Sequence, residues 1–290
     1  MYDKITRVPT YRYRAAGKCI YCGCTEQLTD EHIVPFALGG NLVLPTASCV
    51  ACADRTKKYE QRTLRATLGN VRIRHNFPTR RKKERPVSIE ISTVTAPGCA
   101  TTTPVPATEH PFGAALPHYG RAGLFVGSTP DMNILSHTLK SAYLNGDLDK
   151  FKSQYNWDGT HKIWYLPIEF GQTIIKMSYS FAVAELGSEF FTPCCIPQIR
   201  SEDLNISYVF GQLGMNEHRE GPGPVWTLDI RLQTHQKKVW VIVYCSLFPW
   251  AGTPVYEVVV GILNKAEQFE LLNAALLDGR AIHADPSTQV

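Results

Sequence analysis

The chain has 290 residues, 44% of them hydrophobic and 19% charged, with nine cysteines and a formal net charge of +4. That is apolar material for at least one sizeable core and, at roughly 100–200 residues per domain, for two. No segment approaches the ~18 to 20 uninterrupted apolar residues of a membrane helix, and the charged start MYDKITRVPTYRYR holds no signal-peptide core, so we expect a soluble, cytoplasmic protein with no membrane partner.

The charge is unevenly spread: residues 1–86 hold 17 Lys and Arg against 7 Asp and Glu, a net +10, while the rest of the chain is net −6. A basic segment joined to a mildly acidic one suits a polyanion partner for the first part alone; a merely solvated basic face is the plain alternative. In chain order, paired cysteines and a Gly-Gly turn predict a hairpin, and Cys52 to Leu68 a helix with charges at helical spacing. Gly69 and Asn70 are expected to end that helix, VRIRHNFPTRRKKERP to be a basic strand and linker, and Pro86 to mark the boundary between domains 1–86 and 87–290. VSIEISTV reads as a strand, and the Thr-, Pro- and Gly-rich stretch from Ala96 to Pro130 as loops and short edge strands. Phe170, Ile174, Met177, Phe181 and Ala184 recur at helical spacing, predicting a helix over 168–186 with one face on a core. ISYVFGQ, VWTLDIRLQT, KKVWVIVYCSLF and VYEVVVGIL follow as strands with short turns, which makes the second domain an antiparallel sheet with a helix packed on it and the whole α+β.

Nine cysteines is an odd count, and four stand in two C-x-x-C pairs, Cys19/Cys22 and Cys49/Cys52. Each pair can turn two thiolates toward one tetrahedral Zn²⁺, and four thiolates leave no open position, so such a zinc is structural. Buried or redox cysteines are the alternative use. Cys24 is a competing ligand ranked behind Cys19, and Cys99, Cys194, Cys195 and Cys245, without partners at metal spacing, read as packing residues.

Between the pairs lies LTDEHIVPFALGGN, residues 28–41. An acidic residue, His-Ile-x-Pro and Gly-Gly, bracketed by C-x-x-C and leading into a Lys-bearing helix, resembles the HNH endonucleases, in particular the zinc-bound branch that opens its motif with Glu-His. The resemblance covers roughly residues 17–62 and implies a ββα-metal fold in which Glu31 ligates a catalytic Mg²⁺ or Mn²⁺ and His32 is the general base, a role suited to an imidazole near neutral pH. Where the family carries a second metal ligand just after the fourth cysteine, this chain has Ala53, which cannot ligate; Asp54 and Glu60 are the candidate replacements. Asn41 is a candidate catalytic residue that stands earlier than the family's middle Asn, with a turn role as the alternative.

Lys57, Arg72, Arg74, Arg80, Arg81, Lys82 and Lys83 are candidate phosphate contacts, expected to position nucleic acid, most directly DNA, without reading its sequence. The function expected from these readings is a metal-dependent endonuclease hydrolysing phosphodiester bonds. The alternative is a catalytically silent zinc module that binds nucleic acid, kept open by Ala53. The second domain shows no Gly-rich phosphate loop, no G-x-S-x-G and no H-E-x-x-H, and homodimer contacts are one use open to it.

Overall fold

A computed structural model describes residues 10–79, 82–96, 99–130, 137–145, 148–157, 166–219, 223–265 and 269–277. β1 (Tyr11–Arg12), β2 (Leu28–His32) and β3 (Leu42–Cys49) form a sheet in the order β1, β3, β2, with β2 antiparallel and β1 parallel to β3. A 3-10 turn, Phe36–Leu38, ends on Gly39 at φ +71°, and the next residue explains why the second glycine follows. A Cβ on Gly40 would lie 1.9 Å from the Val34 carbonyl oxygen, so no larger residue fits that approach.

β3 runs directly into α1 (Val50–Ala66), whose buried face is Cys52, Thr56, Tyr59 and Thr63 and whose exposed face carries Asp54, Lys57, Lys58, Arg62 and Arg65. The expected helix therefore starts two residues early. The expectation after it is corrected: Gly69 and Asn70 open a second helix, α2 (Gly69–Arg74), where a helix end and a basic strand were predicted. The cause is burial, because a further helical turn carries Leu68 and Val71, three apart, into the core together.

β4 (Ser88–Ala96) pairs with β5 (Cys99–Pro106), and β6 (Phe112–Tyr119) with β7 (His137–Asn145), as two antiparallel hairpins. β4 is the expected strand, whereas β5 and β6, of eight residues each, are longer than the loops and short edge strands expected between Ala96 and Pro130. Threonine accounts for part of it: β-branched side chains favour strands, and the Thr93 hydroxyl bonds those of Thr101 and Thr103 across the hairpin at 3.1 and 2.9 Å. Prolines 104, 106 and 117 are tolerated because a two-stranded hairpin is all edge.

After α3 (Leu148–Tyr155) comes α4 (Pro167–Leu186), then β8 (Phe191–Pro193), α5 (Ile196–Ile199), β9 (Phe210–Met215), β10 (Trp226–His235), β11 (Lys238–Leu247), β12 (Pro254–Leu263) and α6 (Phe269–Leu277). The sheet order is β10, β11, β12, β8, with β9 also on β12, all antiparallel as expected. Gln236 and Lys237, both at positive φ, make the two-residue turn between β10 and β11. The expectation of one core-facing stripe on α4 is corrected: 15 of its 20 residues are buried, because α1 packs on one side of it and β10 to β12 on the other. One hydrophobic core consequently runs from Tyr13 through α4 to Leu272, and a small second cluster, Ile91, Val105, Phe151 and Trp157, sits under the first hairpin. No helix among the described residues is long and apolar enough to cross a membrane.

Candidate metal centre and motif strip

The first cysteine pair sits on a tight knuckle. Gly23 donates its N–H to the Cys19 carbonyl at 2.8 Å, Cys19 donates to the Cys24 carbonyl at 2.7 Å, and Gly23 takes the φ of +76° that the turn requires. The second pair straddles the passage from β3 to α1, with Cys49 capping the helix and Cys52 in its first turn. The two knuckles meet, and the sulfurs of Cys19, Cys22, Cys49 and Cys52 all lie within 4.8 Å of one another. A tetrahedral zinc with Zn–S bonds of ~2.3 Å needs sulfurs about 3.8 Å apart, and Cys22 and Cys49 are at 3.7 Å. The donor set and its spacing therefore fit a metal such as zinc. Burial pushes the Cys19 and Cys52 thiols up, the latter also because it faces Cys19, while Cys49, despite burial, is held down to about 7 by the Cys52 backbone N–H and the neighbouring sulfurs. Four thiols that cannot all ionise side by side are the electrostatic counterpart of a site for a dication. Cys24 is exposed and turned toward the Glu26 backbone, outside the cluster.

Glu31 and His32 end β2, and the strand's alternation sends them to opposite sides. Glu31 is 5% exposed and faces α1 and α4. There it forms an ion pair with Lys176 of α4, and the same ammonium pairs with Glu60 of α1 at 2.9 Å and donates to the His32 carbonyl at 2.6 Å. Lys176 is 2% exposed. Burial acts to lower its pKa, but Glu31 and Glu60 hold it far above the ordinary lysine value; Glu60 is raised by burial and by Glu31, against the pull of Lys176. The two carboxylates that could grasp a catalytic dication thus meet around a cation that the chain itself supplies, with Glu31 and Lys176 buried and Glu60 partly exposed. Residues so arranged do not fit a resident Mg²⁺ or Mn²⁺.

His32 is half-buried with its ring edge-on to Phe36 at 6.3 Å. The carboxylate on its side of the strand is Asp30, which sequence reasoning passed over; it is exposed, bonded by Arg12 at 2.7 Å, and held below the usual range by that guanidinium first and by His32 in part. Asp54 points to solvent on the face of α1 opposite the Lys176 cluster. Asn41 is buried beside β1, its carbonyl accepting from the Tyr11 N–H at 2.7 Å. Among the described residues the four cysteines are the one group of three or more His, Cys, Asp or Glu that could hold a metal.

Lys57 and Lys83 are exposed, whereas Arg72 and Arg74 spend donors on the chain: Arg72 on the Ala37 and Leu64 carbonyls, both at 3.1 Å, and Arg74 on the His110 carbonyl at 3.3 Å. Arg80, Arg81 and the Lys82 side chain lie outside the described residues. Lys176 is the residue that the sequence reading missed, and its signal was plain: one cation in the run IIKMSYSFAVA must find buried carboxylates.

No curated protein and no solved structure matches the chain. The model of the HNH endonuclease family matches residues 19–68, from the first knuckle cysteine to two residues past α1. The strand-strand-helix unit with its four-cysteine cluster is accordingly an HNH endonuclease-family module, built into the core of a larger α+β chain.

Proposed function

We propose that the protein acts on nucleic acid, most directly DNA, and that the zinc-braced module grips the phosphodiester backbone without hydrolysing it through a divalent metal. The observation that carries this reading is Lys176: its ammonium joins Glu31 to Glu60, the carboxylates offered for a catalytic ion, with Lys176 and Glu31 buried and the Glu60 side chain only 16% exposed. The family match and the local excess of 17 basic over 7 acidic residues in 1–86 support the polyanion partner.

A second reading, a metal-dependent endonuclease, is favoured by His32. It stands at the end of β2, partly open and beside the exposed Asp30, where an imidazole can take a proton from water near neutral pH. Hydrolysis in this reading requires Lys176 to leave the carboxylate pair, or Asp30 to give up Arg12.

Supercoiled plasmid and a labelled duplex, each incubated with the zinc-loaded chain across a salt series with and without Mg²⁺ or Mn²⁺, separate the two. Salt-sensitive binding with no nicking under either metal supports the first. Metal-dependent nicking that disappears in His32→Ala establishes the second, and absence of any binding rejects both.

A further inference from the structure

Away from the strip, the end of α1, α2, Phe77, Thr79 and residues 84–86 line a cleft of about 280 Å³. That is close to the ~300 Å³ at which small-ligand sites begin, too little for a large ligand and ample for one compact charged group. Among the described residues Arg65, Arg72 and Arg85 line it, with Glu84 as the one carboxylate. Gly69 on its wall would bring a Cβ within 4 Å of nothing, so the space there is open.

Two of the guanidiniums are aimed by neutral partners. Arg72 donates through Nε to Ala37 and through Nη1 to Leu64, and Arg85 donates to the Phe77 carbonyl at 2.5 Å. A backbone carbonyl orients a guanidinium but leaves its charge standing, and each arginine has five N–H donors, so both keep donors for a ligand. The like charges also strain one another: burial first, then Arg65 and Arg85, depress Arg72. Guanidiniums converging on a small open space, with one carboxylate for three cations among the described residues, are the usual recognition chemistry for a phosphate, whose oxygens accept pairs of parallel N–H donors. Arg72 also reaches Ala37 in the turn that follows His32, which ties the cleft to the motif strip.

We propose that this cleft seats one phosphate of a nucleic-acid strand, with Arg65 and Arg85 as its donors and the half-buried Arg72 as the cation behind them. The inference rests on the nucleic-acid reading above and gives the grip a location.

The test measures binding of a labelled duplex to the full zinc-loaded chain across a salt series, for wild type, Arg65→Ala, Arg65→Lys, Arg85→Ala and, as an outside control, Lys238→Ala. Arg65→Ala is expected to weaken binding about tenfold, whatever the sequence, and to lower the slope of log affinity against log salt by about 1, with Arg65→Lys keeping most of the slope. Arg65 carries the test even if Arg85→Ala misfolds, because it is exposed and its loss breaks no hydrogen bond among the described residues. If wild type binds but Arg65→Ala matches it in affinity and slope, the cleft assignment is overturned and the nucleic-acid reading survives; if wild type binds no duplex, both fall. Inorganic phosphate and a nucleoside monophosphate serve as competitors. Arg65-dependent binding of free phosphate without binding of the duplex would make the occupant a small anion and overturn the nucleic-acid assignment.

Discussion

Lys176 stands between Glu31 and Glu60, where α4 packs on the motif strip and α1. Two carboxylates and one ammonium leave the buried cluster one negative charge in excess when all are ionised, which is why Glu60 is held up by burial and by Glu31 while Lys176 stays charged. Removing the cation strands both carboxylates, and breaking a buried pair in this way costs about 3–5 kcal/mol. Lys176→Met is therefore expected to lower the unfolding free energy obtained from urea titration by that amount, and Lys176→Met with Glu31→Gln and Glu60→Gln to recover most of it; a loss under about 0.5 kcal/mol in the single variant would refute the pairing. The pH dependence has a definite sign. A lysine raised in the fold stabilises fully below its ordinary value of 10.5 and loses that contribution as pH rises through the higher folded value. Buried Tyr21, Tyr59 and Tyr179 are raised as well and act in the same direction, so the difference between wild type and Lys176→Met above about pH 10.5 isolates the lysine. If Mg²⁺ or Mn²⁺ restores stability to Lys176→Met, the pair can hold a dication once the ammonium is gone, which would revive the metal-dependent reading.

At the scale of elements, the module depends on two joints. One is the cysteine cage, which fastens the Cys19–Cys24 knuckle to the start of α1. The chain is expected to hold about one zinc, and Cys22→Ser or Cys52→Ser to lose it while Cys24→Ser keeps it, read by metal analysis. Zinc kept by Cys22→Ser and lost by Cys24→Ser would mean a different ligand set. The other joint is the glycine turn between β2 and β3. Gly40→Ala drives a methyl into the Val34 carbonyl and should destabilise by roughly 1–3 kcal/mol, read as a lower thermal midpoint, whereas a carbon added at Gly69 meets nothing. The cage spacing and the Gly-Gly turn were legible in the residues because both obey local rules. α2 was not, since nothing in VRIRHNF by itself says that Leu68 and Val71 must be buried together.

Across the whole molecule, α4 is the shared spine. One side of it presents Glu169, Thr173, Lys176 and Ser180 to the HNH-family module, where they meet Arg62, Thr63, the Glu31–Glu60 pair and Tyr21, and Tyr179 donates to the Ile20 carbonyl at 2.7 Å. A fragment cut at Pro86 loses all of these and exposes the buried Tyr21, Leu64 and Leu68. We expect such a fragment to lack a cooperative melt even when loaded with zinc, and the full chain to melt in one transition, both readable by circular dichroism; two separate transitions would mean that the module folds on its own. The sequence alone determined what local chemistry dictates: two cysteine pairs spaced for one metal, a Glu-His-x-x-Pro strip with its glycine turn, alternating strands joined by short turns, and a basic first third. The tertiary structure alone decided which charges meet. Lys176 lies 145 positions from Glu31 and 116 from Glu60, and the neighbours of a buried charge are set by packing between distant segments, about which residue order is silent.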